Sequence, residues 1–552
     1  MQRNLQALSN QAFDLLVLGG GIQGACVAWE ASLRGLSVAL IDQSDFGSAT
    51  SANSLKIIHG GLRYLQTADF SRMRQSIRER QTLMRIAPHL VHPLPIVVPT
   101  YGHGVKGKEA MFVALKLNDL ISCDRNQGLS DPQKHIPPGQ VISRQRCQQL
   151  VPGIVEQDLT GAATFHDAQV YNSERLTLGF IKSAAQQGAT VANYVKAVGF
   201  LRTDDQIQGV IAQDELTGNR FDIRARAVVN TTGPWLNQVL GLLPQPPAQQ
   251  SFAKAVNVVL CRPLLETPYA IAFKSSPESE IVKRGQQKAR MLFAVPWRGT
   301  SMIGTFYSVC NQTADNWQVH EVEIDTLLQQ INQAYPPAQL TRGDVAFVHG
   351  GLLPQTDISS SGEPILAKRY CLREHAPQGH RGLWSVTGVK YTTSRDVAQK
   401  VVDRLLRTWG QTAPPSQSTT TPLVDGAIDN VEEFVQAANK ELIHLDSQLV
   451  RSLVYNYGTA YAEVLAGEIQ DSSQAIGAQV RYAVRVEMAQ TLKDVILRRT
   501  ELGSAGLPDI ATIRLCGTIM AEELHWTHGQ MQTEIQSLIP ASPVSDRGVV
   551  AL

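Results

Sequence analysis

The strongest constraint on this chain is a turn. Residues 19–24 read Gly-Gly-Gly-Ile-Gln-Gly, which puts glycines at 19, 21 and 24. The apolar run before it, residues 13–18, reads as a buried parallel strand. Residues 22–35 are small and apolar throughout and suit a helix, with Gly35 as its C-cap. Residues 36–42 form a second apolar strand. Strand, helix and strand within about 30 residues make a βαβ unit. In such a unit the first glycine permits the tight turn. The second lets backbone approach a pyrophosphate, and the third lets helix pack on strand. The N–H groups opening the helix then face the phosphates. Asp42, 18 residues after Gly24, stands where an acid binds a ribose hydroxyl. The expectation is a dinucleotide-binding α/β domain.

Length and charge narrow the rest. At 552 residues the chain exceeds one hydrophobic core, so two or three domains are expected. A net charge of +1 gives no global electrostatic case for nucleic acid. Seven cysteines, an odd number with no CxxC pair, point to reduced intracellular thiols. No HExxH, CxxC or P-loop motif occurs, so no metal site is expected. The amino terminus lacks a signal-peptide pattern, and no run reaches roughly 18 apolar residues. The expected location is the cytoplasm.

Further along, residues 223–235 read as a strand entering a glycine turn, and 383–405 as strand, turn and helix. Two runs within 289–309 read as paired antiparallel strands. Three glycine turns over the first 400 residues fit one large cofactor touched at many points, and FAD suits that better than NAD. Residues 410–422 are polar and proline-rich, as in a linker, and the chain beyond reads as helical. In 482–497, Val484, Met488, Leu492, Val495 and Ile496 fall on one helical face. Residues 108–121 read as an amphipathic helix with flanking lysines, suited either to an anionic membrane surface or to ordinary packing.

These segments together resemble the FAD-dependent glycerol-3-phosphate dehydrogenases. The resemblance rests on "LGGGIQGA", "SDFGSATSANSLKIIHGGLRYL", "VVNTTGPW", "FAVPW", "SMIGT", "GVKYTTSR" and the tail "YAVRVEMAQTLKDVILRRTELGSAG", in that order. It implies an α/β (α+β overall) fold. An FAD-binding Rossmann-like domain (about 11–100, 150–245 and 360–405) interleaves with a mixed-sheet substrate domain (mainly 246–355) within 1–410. A linker at 411–422 and a helical domain at 423–552 follow. For the cofactor the resemblance implies Gly19, Gly21, Ile22, Gln23, Gly24, Asp42, Gln43, Thr50, Ser51, Ser54, Val195, Thr232, Gly233, Trp235, Gly388, Lys390, Tyr391 and Thr392. For the substrate it implies His59, Arg63 and Tyr64. Implied partners are a small anionic substrate and quinone or another electron acceptor, at the inner face of the cell membrane. The implied assembly is a homodimer.

The loop 56–65, "KIIHGGLRYL", then makes chemical sense. Oxidising an alcohol by hydride transfer to flavin N5 needs a base for the hydroxyl proton, and histidine serves near neutral pH. Arginine grips an anion through two parallel hydrogen bonds. Lys390 stabilises negative charge on a reduced ring. Three departures fall where the family handles substrate. Its arginine becomes Leu353, its histidine becomes Asn257 beside a kept Lys254, and its "GTTD" becomes "GTFY" with Phe306 and Tyr307. His349 and Lys254 are the candidate replacement cations. Two enzymatic readings therefore stay open: glycerol 3-phosphate oxidation, or oxidation of another small hydroxy or amino compound. A degenerate flavoprotein serving as an interaction protein is the non-enzymatic rival.

Overall fold

The computed structural model describes residues 1–104, 107–274, 291–467, 469–503 and 506–538. Two sheets face each other across a cleft, and a helical region closes the carboxyl-terminal end. The first sheet has eight strands. Ala12–Leu18 lies at its centre, flanked in parallel by Val38–Ile41 and Arg220–Asn230, with Leu383–Thr387 parallel beyond the latter. All four residues of Val38–Ile41 are buried, as a strand covered on both faces requires. The glycine-rich turn delivers the chain into helix Ile22–Leu33, which ends at Gly35 with φ +78°. That helix packs with Ser173–Gln186 and Ser394–Thr408 on one face of the sheet.

The second sheet has ten strands and is almost wholly antiparallel. Ser251–Leu260 runs between Val345–Ile358 and Thr300–Cys310, and Met291–Trp297 pairs with Thr300–Cys310 as its sequence implied. Its back face buries Val256, Val258, Ile303 and Phe306 under helix Glu321–Ala334. Its front face looks into the cleft.

The carboxyl-terminal helices are fastened to the first sheet by buried charge. Asp45 accepts from Arg498 Nε (2.6 Å) and from Arg499 Nη1 (2.8 Å) and Nη2 (2.7 Å). Arg175 Nη1 donates to Glu487 at 2.6 Å, and Lys182 Nζ to Asp425 at 2.6 Å. Residues 482–497 differ from expectation. The helix Ser472–Arg485 stops there, and a fresh turn begins at Leu492–Asp494. Met488 takes φ +59°, its carbonyl accepts from Asn193, and Asp494 caps the N–H groups of Gln490 and Thr491. Met488, Leu492, Val495 and Ile496 are still buried and Val484 partly so, but they no longer share one helix. The proline-rich stretch 410–422 is tied down: Arg34 donates to the Pro414 carbonyl, Ser416 to Glu30, and Arg395 to the buried Ser418.

Candidate active site

The cleft between the sheets has a volume of about 2660 Å³. One arm runs along the carboxyl ends of the parallel strands. Gly19, Gly21, Ile22, Gln23, Asp42, Gln43, Thr50, Ser51, Ser54, Val195, Thr232, Gly233, Trp235, Gly388, Lys390, Tyr391 and Thr392 all line the cleft. Gly24 lies beneath it. A Cβ there would sit 1.9 Å from the Gly19 carbonyl oxygen, so only glycine lets the helix meet the turn. At Gly388 a Cβ would meet Gln23 Nε2 at 2.3 Å, so a side chain there would push Gln23 aside.

This arm fits an extended dinucleotide. Helix Ile22–Leu33 opens onto it without a side-chain cap from its own N-cap residue, Gly21. Buried Gln23 Oε1 and Asn53 Oδ1 have no hydrogen-bond partner among the described residues. Asp42 accepts from the N–H of Gly20 (2.6 Å) and Ser44 (2.8 Å), yet burial pushes its carboxyl up to about 7. A ribose hydroxyl is a donor that would favour the ionised form. Tyr391 offers its ring only, since its hydroxyl donates to the Ser173 carbonyl at 2.8 Å.

The other arm reaches the front face of the second sheet. His59, Arg63 and Tyr64 line it together with Lys390. The His59 ring is half-exposed, at 51%, with Nδ1 3.4 Å from Asp167 Oδ2. Asp167, which also lines the cleft, receives the Gly60 N–H (2.6 Å) and Arg80 Nη1 (3.0 Å) on Oδ1. Burial raises the Asp167 carboxyl. The His59 ring, the Arg80 charge and the Gly60 N–H outweigh that and hold it below the usual range. A Cβ at Gly60 would stand 2.1 Å from Arg80 Nη1, which explains the first glycine of the "HGG" run. Tyr64 is stacked between two cations, with Lys390 Nζ 4.1 Å and Arg72 4.6 Å from its ring. Burial, then the charge of Arg63, push Lys390 down to about 8. Neither the Arg63 nor the Lys390 side chain has a hydrogen bond or carboxylate partner among the described residues.

Three expectations for the substrate wall need correction. His349 does not line the cleft. It is buried between the rings of Trp297 and Phe347, and burial with the Lys56 charge pushes it down to about 3. A neutral, enclosed imidazole cannot replace a missing cation. Lys254 is buried and paired with Glu323 at 3.2 Å, on the opposite strand face from Asn257. Phe306 belongs to the core behind the sheet. Leu353, Asn257, Thr305 and Tyr307 do line the cleft. Asn257 donates to the Asn53 carbonyl (3.2 Å) and accepts from Thr305 Oγ1 (2.8 Å), so it holds the wall together. The residue missed from sequence was Asp167. A lone carboxylate inside the strand run 159–170 was its only local signal.

The family described as "FAD dependent oxidoreductase" matches residues 14–403, and "C-terminal domain of alpha-glycerophosphate oxidase" matches 416–531. A glycerol-3-phosphate dehydrogenase of Synechocystis is 34% identical, covering 97% of both chains. One from Mycobacterium leprae is 30% identical over 96% of this chain and 88% of its own. The structure of glycerol-3-phosphate dehydrogenase from Bacillus halodurans complexed with FAD superposes with a TM-score of 0.75. It covers 97% of this chain and 96% of its own at 22% identity, a likeness of fold.

Proposed function

The chain belongs to the FAD-dependent oxidoreductases of the glycerol-3-phosphate dehydrogenase family, and from that premise we propose that it oxidises sn-glycerol 3-phosphate to dihydroxyacetone phosphate. It is an enzyme of the FAD-dependent dehydrogenase type, with FAD as cofactor, so the reading as a decayed interaction protein falls. The observation that carries the proposal is the pair Arg63 and Lys390, two cations without carboxylate partners among the described residues, lining one cleft with the His59–Asp167 pair. Arg63 offers parallel donors to a phosphate, and Lys390 adds a second charge. Tyr64 holds Lys390 in place by its ring face. His59 Nε2 accepts the proton of the C2 hydroxyl as the carbonyl forms. FAD, when bound, supplies the acceptor for the hydride leaving C2.

Electrons pass onward to quinone. Helix Lys108–Ile121 supports that step: Ala110, Met111 and Ala114 line the cleft, while Phe112, Val113, Leu117 and Leu120 are exposed. That outer face suits contact with the inner side of a cell membrane. Among the described residues no helix is long and apolar enough to cross one.

A second reading, oxidation of another small hydroxy or amino compound, is favoured by Leu353 on the cleft wall. The deciding test is anaerobic addition of glycerol 3-phosphate to the yellow holoenzyme. Bleaching of the visible flavin band, absent with glycerol, supports the first reading. A band that only dithionite bleaches supports the second.

A further inference from the structure

We infer that Asp167 is a positioning residue for the reaction. It fixes the His59 ring with the proton on Nδ1, so that Nε2 is the base. This rests on the proposed role of His59.

The assignment follows from how the carboxylate is used. Oδ1 already receives two donors, the Gly60 N–H at 2.6 Å and Arg80 Nη1 at 3.0 Å. Oδ2 remains, and it faces His59 Nδ1 at 3.4 Å. Arg80 is itself placed by donating to the His166 carbonyl at 2.8 Å. Arg80 and Asp167 are both buried, at 4% and 5% exposure, while the imidazole is half-open to the cleft. The ionised Oδ2 accepts and cannot donate, so Nδ1 must carry the hydrogen. Nε2 is left with a free lone pair. It takes the hydroxyl proton, and the imidazolium so formed is stabilised by the same carboxylate.

Three chain segments build the device: the loop carrying His59 and Gly60, helix Phe70–Ile86 with Arg80, and strand Leu159–Val170 with Asp167. Gly60 lacks a side chain so that the other two can close on its backbone.

Asp167→Asn is the informative change. Its amide oxygen would stay with Gly60 and Arg80, which need an acceptor. The amide N–H₂ would then face Nδ1, demand a lone pair there, and move the ring proton to Nε2. In the full-length, FAD-loaded enzyme, long-range ¹⁵N correlations of His59, assigned by their loss in His59→Gln, report the tautomer directly. The expected result is protonated Nδ1 in the wild type and protonated Nε2 in Asp167→Asn. With saturating glycerol 3-phosphate, the variant should bleach its flavin about 100-fold more slowly, with KM changed by less than about threefold. Adding Asp167→Asn to His59→Gln should cost nothing further. Independent, multiplying losses in the double variant would overturn the proposal, as would a wild-type Nε2–H tautomer. Should Asp167→Asn lose FAD, the wild-type tautomer alone decides. A wild type that glycerol 3-phosphate does not bleach strikes the substrate reading and leaves the tautomer test standing.

Discussion

The two faces of the cleft are built on different principles. The cofactor face is made largely of backbone: glycines whose missing side chains let turn, helix and strand meet, each turn carrying its own polar groups. The substrate face is made of side chains from remote strands and loops, each presented by the alternation of a pleated sheet. Backbone geometry tolerates almost no substitution, whereas a side-chain wall can be altered one residue at a time. Three residues that depart from the resemblance, Leu353, Asn257 and Tyr307, line the cleft as side chains of the second sheet.

The sharpest break in that contrast would be Gly24→Ala. Its Cβ would lie 2.6 Å from Thr231 Oγ1 and 1.9 Å from the Gly19 carbonyl oxygen, and only backbone movement relieves the latter. The movement that relieves this overpacking displaces the pyrophosphate turn itself, so cofactor binding is lost outright. The purified variant should be colourless, which its absorbance spectrum will reveal. A yellow variant of normal stability would mean that the cofactor face is more forgiving than argued.

Next in size is Asp45→Asn, which tests whether the cofactor sheet is also held from behind. Burial raises the Asp45 carboxyl, but Arg499 and Arg498 outweigh it and hold it at about 2. A folded-state value below the ordinary 3.8 stabilises the protein above that pH, and the contribution is lost as pH falls towards 2. Removing the charge leaves buried Arg499 without a carboxylate partner, while Arg498 keeps Asp494, and should cost about 3–5 kcal/mol at neutral pH. Denaturant midpoints of the two proteins should converge as the buffer is acidified from pH 5 towards 2.

On the substrate face, Arg63→Ala should leave FAD content and spectrum intact while raising KM for glycerol 3-phosphate about 100-fold, through loss of two charge-assisted bonds. Steady-state kinetics checks this, and an unchanged KM would remove Arg63 as the anion's grip. The smallest effect belongs to Leu353→Arg. Placing a cation on that wall should lower KM for glycerol 3-phosphate about tenfold. No gain would mean that the phosphate rests on Arg63 and Lys390 alone.

The same contrast explains what could be read from sequence. Each glycine turn directly follows its own strand and Asp42 lies 18 residues after Gly24, so local pattern reveals them. Periodicity also located Met291–Trp297 beside Thr300–Cys310. Strand parity was the missing argument on the other face. Of residues 304–307 only Thr305 and Tyr307 reach the cleft, while Phe306 turns into the core. Lys254 and Asn257 part company in the same way. Asp167 was invisible because its partner His59 is 108 residues away, joined by tertiary pairing of Ile57–Ile58 with Leu159–Val170. His349 looked available by position alone, and only packing shows it enclosed.

One feature of the first sheet governs the order of assembly during synthesis. Ala12–Leu18 emerges well before its neighbours: Arg220–Asn230 comes some two hundred residues later, and Leu383–Thr387, which completes the parallel run, later still. At roughly 5–20 residues per second, a ribosome needs on the order of half a minute to supply that last strand. Throughout that interval the glycine-rich turn is present without the wall that faces it. Gly388 and Lys390 follow directly on the closing strand. The cofactor face is therefore incomplete until Gly388 and Lys390 have been made.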